Sequence, residues 1–269
     1  MMVPDQSADL LRLSFLDTLP LWILYILTVA LLLLAVEGGY RLSKWMQRRS
    51  PDRAESAVGA VNGASLALLA FLLAFVVSIA LNQFSGRRGA LVAESNAIGT
   101  AYLRAGALPD SFAANARELL REYTDQCIAA LDPAKIPQVI ARSEEIHDAL
   151  WTDIEMLTKQ RDTPTVALYM AAVNDVIDLH TDRINIELVA RVPTPIVLGL
   201  FFIALMALGL VGLHGGYGEG RNLVAIVALV LILSVVFLLI LDLGRSQEGL
   251  LRISYQSMFD LQRSLNAGR

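Results

Sequence analysis

The sequence predicts an all-α membrane protein in which two transmembrane hairpins flank one polar helical domain. Three observations carry this. Four apolar windows, at 19–36, 58–81, 196–213 and 223–241, each approach the roughly 20 residues that a helix needs to cross a bilayer core of about 30 Å. The stretch between the second and third windows is polar and has helical periodicity, with no period-2 segment and no internal repeat. Hydrophobic residues make up 55% of the 269 residues and mean hydropathy is +0.53, above the roughly 45–50% apolar content of ordinary globular chains.

The elements follow in order. Residues 1–18 form an N-terminal tail with Asp5, Asp9 and Asp17 against Arg12. A secretory signal starts with a basic segment, so the first window reads as a retained span. Residues 19–84 form the first hairpin, whose link, 39–57, carries Arg41, Lys44, Arg48, Arg49 and Arg53. Residues 85–195 form the helical domain, with 11 Lys/Arg against 16 Asp/Glu, a net of −5. No proline interrupts 87–107, so the second span can run on beyond the membrane. Leu108-Pro109-Asp110 breaks that helix, because proline disfavours helix at the residue before it, and Asp110 or Ser111 can cap the next. Further helices are expected at 112–131, 136–160 and 165–191, separated by Asp132-Pro133 and by Arg161-Asp162-Thr163-Pro164. Residues 196–241 form the second hairpin, turned by the glycine-rich HGGYGEGRN, and 242–269 read as a helical tail.

No span has an ionised residue at its centre; Glu37, His214 and Asp242 sit at edges, where charges can reach the headgroups. This disfavours ion-coupled transport, which uses ionisable groups at mid-membrane. The basic first link belongs in the cytoplasm by the positive-inside rule, which places the helical domain and both termini outside.

The second span has two faces. Gly59, Gly63, Ala67, Ala70 and Ala74 fall within roughly 80° of arc, a stripe of small residues that allows close helix packing. Beside it lie Phe71, Phe75, Ser78 and Asn82, an aromatic and polar stripe that either packs, with the two phenylalanines facing lipid or a neighbouring helix, or lines a pore, where apolar rings can gate by dewetting. Past the span, Arg87, Arg88, Glu94, Asn96, Thr100 and Arg104 make a polar network expected at the membrane rim. Arg87 and Glu94 share a face with Ile98 but are too far apart to pair with each other, so their partners belong to adjacent helices.

Chemistry is sparsely signalled. Glu144 and His147 form one ExxH pair, whereas di-metal bundles need two. Asp175, Asp178 and Asp182 align on a helix while His180 points away, which reads as a solvated acidic face. The single cysteine, Cys127, reads as a small buried residue. No phosphate-binding glycine loop, HExxH or GxSxG occurs. No catalytic residue, metal ligand or cofactor is assigned, and the net charge of −4 gives no nucleic-acid footprint.

The run RRGALVAESNAIGTAYLRAGALP after the second span, then RELLREYTDQ, then Asn174, Asp178 and Arg183 followed by VPTP before the third span, resembles the bestrophin-like family of bacterial membrane proteins. The resemblance covers roughly 59–241 and is most specific over 87–104. It implies distant kinship with bestrophins, pentameric ion channels whose second helix lines the pore with an aromatic or aliphatic neck. Phe71 and Phe75 would be that neck. It also implies a helical domain in the cytoplasm, opposite to the charge rule, and the acidic calcium clasp of the animal channels is missing here. The expected function is therefore an oligomeric ion channel of the bacterial inner membrane, a pentamer by analogy, with lipid and an inorganic ion as partners. The alternative is a non-conducting sensor or assembly module whose helical domain binds a ligand or partner.

Overall fold

A computed structural model of the chain describes residues 19–49, 55–160, 163–186, 193–217, 222–245, 251 and 253–267. Among these residues there are eight α-helices, one 3₁₀ turn and no strand. The helices are α1 (Leu21–Arg49), α2 (Glu55–Ala105), α3 (Asp110–Ala129), α4 (Ile136–Gln160), α5 (Pro164–Ile184), α6 (Thr194–Tyr217), α7 (Leu223–Gly244) and α8 (Gln256–Ala267). The tail 1–18, Arg53, Arg161-Asp162, Arg191 and residues 218–221 of the glycine-rich turn lie outside the described residues.

Four helices, α1, α2, α6 and α7, are long and apolar enough to cross a membrane. The second is the longest, 51 residues without a proline. At 1.5 Å per residue it extends about 75 Å. That exceeds a hydrocarbon core of about 30 Å, so the helix continues well past any span it makes. It ends where the sequence breaks it. Gly106, Ala107 and Leu108 close i→i−3 bonds onto Leu103, Arg104 and Ala105, a tightened last turn ahead of Pro109.

The division into two compact units falls inside α2, between Gln83 and Phe84. Unit one contains α1, the first part of α2, α6 and α7. Its core is formed by residues such as Leu32, Leu69, Leu73, Ala204 and Leu208, with Phe201 and Phe237 edge to face at 5.5 Å. α1 packs closely on α6, and glycine makes that approach possible. A Cβ at Gly39 would land on the carbonyl oxygen of Gly209, and one at Gly212 on that of Val36. Asp242 is not at a free edge as expected. It is 2% exposed, and its carboxylate accepts from the Leu251 amide at 3.1 Å, so the returning chain supplies the partner that solvent would have supplied.

Unit two contains the rest of α2, with α3, α4, α5 and α8. Its apolar core includes Leu91, Ile98, Leu120, Leu150, Val173 and Met258. The helix starts follow local chemistry. Thr163 accepts from the Val166 amide ahead of Pro164, and Asp132 accepts from the Ala134 amide at the 3₁₀ turn. The expected cap at Asp110 or Ser111 is not formed. Pro109 occupies the cap position, no side chain bonds the first amides, and Asp110 serves only as a first-turn acid. The 242–269 tail contributes α8, which packs on α3.

Candidate functional site

The two faces of α2 are sorted by burial along its whole length. One stripe is covered: Leu69, Leu73, Val76 and Ala80 in unit one, then Arg87, Leu91, Glu94, Ile98 and Ala101 in unit two. These steps of three and four residues keep one side of the helix toward neighbours. The opposite side is open. Phe71 and Phe75 are 67% and 60% exposed, and Ser78 and Asn82 are exposed with them. Gly63, Ala67, Ala70 and Ala74 are also exposed, so none of the described helices packs on that part of the small-residue stripe. Gly59 alone meets a neighbour: a Cβ there would stand 3.2 Å from the His214 ring.

In unit two, α2 carries a groove lined by Phe84, Ser85, Arg88, Gly89, Val92, Ala93 and Asn96. The six residues expected to form one polar network therefore divide. Arg88, Asn96 and Thr100 lie on the open face. Arg104 donates to the Leu168 carbonyl at 2.7 Å. Arg87 and Glu94 are buried, at 1% and 0% exposure.

Glu94 is the centre of a polar knot built by four helices. One carboxylate oxygen pairs with Arg183 of α5. The other accepts from the Tyr123 hydroxyl of α3 at 2.6 Å and lies 3.5 Å from His180 Nδ1 of α5. Tyr123 oxygen and His180 Nδ1 are 2.9 Å apart. The His147 ring of α4 stacks against both, with centroids 4.8 Å from Tyr123 and 4.9 Å from His180. Cys127 sits beside the pair, its sulfur 4.0 Å from Glu94 and 3.8 Å from Arg183. Burial, then the neighbouring Cys127 and Glu94, push the Tyr123 hydroxyl well above its ordinary range, so it stays a donor. No group of three or more His, Cys, Asp or Glu side chains among the described residues is arranged to hold a metal ion.

The sequence alone places Glu94 in the membrane-rim network, reads His147 as half of a single ExxH pair and sets His180 apart from a solvated acidic face, and it does not single out Tyr123. Their register was the available signal. Glu94 falls three after Leu91 and four before Ile98, and His180 falls four after Val176, so each lies on its helix's apolar stripe.

An all-helical chain with four membrane-length helices and a helical domain continuous with the second of them is a polytopic membrane protein. It belongs to the bestrophin-like family: the Bestrophin-like domain matches residues 29–258. Among solved structures, a bacterial bestrophin homologue from Klebsiella pneumoniae is similar with a TM-score of 0.62 at 14% identity, over 92% of this chain and 98% of that one. A crystal structure described only as a membrane protein is similar at 0.65 and 15% identity, over 92% and 98%. At these identities the likeness is one of fold. No curated protein matches the chain. The all-α architecture and the family read from the sequence both stand.

Proposed function

We propose that the protein is an oligomeric ion channel of the bacterial inner membrane, a pentamer by family analogy, with the open face of α2 toward the common axis. The observation that carries this is the exposure of Ser78 and Asn82 on the same open face as Phe71 and Phe75. An uncovered amide on a spanning helix is unfavourable against hydrocarbon and favourable against water or a second copy. Phe71 and Phe75 are the neck, Ser78 and Asn82 the wetted segment beside it, and Ala67, Ala70 and Ala74 let neighbouring copies approach.

Purified protein in planar bilayers conducts in this reading. Phe71→Ala widens the neck and raises single-channel conductance by about twofold or more. A strict monomer in mild detergent, or bilayers silent with wild type and variant alike, would reject it and favour the non-conducting sensor.

The helical domain and both termini are assigned to the outer side. The basic link is the larger cationic group, and two of the arginines flanking the domain, Arg87 and Arg183, are buried rather than free to meet headgroups. In a Cys127→Ser background, a membrane-impermeant maleimide on intact cells labels Ala114→Cys and spares Arg48→Cys. The reverse pattern would place the domain in the cytoplasm.

A further inference from the structure

The core of unit two is mostly apolar; besides the knot, the described residues buried there include Arg87, Ser95, Thr124, Ser143 and Asp153. The groups facing the knot's two imidazoles are few. They are Glu94 from α2, Tyr123 and Cys127 from α3, and Arg183 from α5, with His147 and His180 facing each other from α4 and α5. The next buried acid of α4, Asp153, accepts instead from Asn115 at 2.7 Å. From α8 the core receives Met258 and Leu265, while Asp260 and Arg263 pair with each other on the surface.

The hydrogen bonds fix where protons stand. Glu94, held by Arg183, is a carboxylate and only accepts. The single Tyr123 proton points to it, so at the 2.9 Å contact the donor is His180 Nδ1–H. That leaves Nε2 of His180 as the bare nitrogen. It is buried without a hydrogen-bond partner among the described residues, and so is Nε2 of His147. Two buried imidazole nitrogens with unmade bonds, on rings in contact, are exceptions to the rule that buried polar atoms are satisfied.

We propose that this knot is a proton-binding site in which His180 takes up a proton at Nε2 and His147 at whichever ring nitrogen is bare, and that loading it loosens the attachment of α2 to α3, α4 and α5. In the unloaded knot Arg183 is paired with Glu94. A proton on His180 places an imidazolium 3.5 Å from the carboxylate oxygen opposite the one that Arg183 holds, so a second cation draws on the charge of one carboxylate. A second proton, on His147, faces the first at a ring separation of 4.9 Å. The attachment of α2 is sensitive to this because α2 is held by side chains and not by close backbone approach. Burial and then the neighbouring His180 push His147 down to about 4, with Glu94 opposing. An unfolded histidine titrates near 6.5, so between about 4 and 6.5 the unfolded chain binds more protons. Stability from this group is complete above about 6.5 and is lost as pH falls through that window. If α2 lines a pore, the proton is a regulatory ligand of it; that consequence rests on the channel reading, and the proton site itself does not.

The test uses the full chain in lipid nanodiscs with ¹⁵N-labelled histidine. The chain has three histidines, so single substitutions assign every signal. At pH 7.5 His180 should show a protonated Nδ1 and a bare Nε2, and His147 should titrate well below a free imidazole. Hydrogen exchange over 90–103 is then compared with a His147→Phe/His180→Gln variant at each pH, which cancels intrinsic rates. The wild-type to variant ratio should rise about fivefold or more between pH 6.5 and 4.5. Where the double variant does not fold, His147→Phe alone, which keeps the ring volume, is the reference, and the ratio then reads the His147 part of the rise. A flat ratio, or a His147 signal that does not titrate at all, overturns the proposal. A positive titration in a protein that passes no current removes the channel reading and leaves the proton site standing; a pH-indifferent current with silent imidazoles does the reverse.

Discussion

Replacing Arg183 by methionine should lower the stability of the helical domain by about 3–5 kcal/mol, the cost of leaving one partner of a buried ion pair alone. Glu94 and Arg183 side chains are 0% and 3% exposed, so neither solvent nor salt screens the loss. After the substitution Glu94 keeps its bond from Tyr123, but its other oxygen faces an apolar chain. Arg183→Lys should fall between wild type and methionine, because a lysine restores charge without the planar fork. The decisive variant is the pair Glu94→Gln/Arg183→Met. It removes both charges while an amide oxygen still accepts from Tyr123, and it should recover more than half of the loss. Trp151 on α4 reports these differences in guanidinium titrations once Trp22 and Trp45 are replaced by phenylalanine. A double variant no more stable than Arg183→Met would mean that shape, and not charge, holds the knot.

That knot shows where sequence reasoning reached and where it stopped. The four spans were legible because an apolar run of that length has few other uses, and the absence of proline from 87–107 pointed to the long α2. The expectation that Glu94 meets a partner on another helix followed from its spacing to Arg87. Which helix supplies that partner did not follow. Arg183 is 89 positions away, and only tertiary packing brings α5 onto α2. His180 was read by its distance from the acids of its own helix. Its register with Val173 and Val176 was the better guide, because the inward side of a domain helix is set by its apolar residues. Glycine was misjudged in the opposite way. The regular small stripe of α2 drew notice, whereas among the described glycines it is Gly39 and Gly212 whose added Cβ would stand nearest to backbone of another helix, and the GxxxG spacing of Gly212 and Gly216, both against α1, was the signal passed over. A helix crossing needs small residues only at its point of closest approach, and that point is a property of two helices together.

The second large effect belongs to that crossing. Gly212→Ala and Gly39→Ala should each prevent α1 and α6 from seating, with the loss of most monodisperse protein on detergent extraction. The argument is steric. The added methyl at Gly212 meets the Val36 carbonyl oxygen and stands 3.0 Å from the Tyr40 amide nitrogen; at Gly39 it meets the Gly209 carbonyl and stands 3.0 Å from the Leu213 nitrogen. Every one of these atoms is backbone inside a helix, so none can rotate away as a side-chain end would. Relief requires the helices to separate, and separation forfeits the dispersion contacts along their length. Close controls lie next to the sensitive positions. A Cβ at Gly38 meets nothing within 4 Å, and the same holds at Gly215. Alanine at either should be neutral or stabilising by up to about 1 kcal/mol, the ordinary preference for alanine over glycine inside a helix. Melting curves in one detergent compare the four variants directly. Equal losses at Gly38 and Gly39 would show that the α1 backbone needs glycine for its own conformation. A loss confined to Gly39 and Gly212 locates the requirement in the contact between α1 and α6.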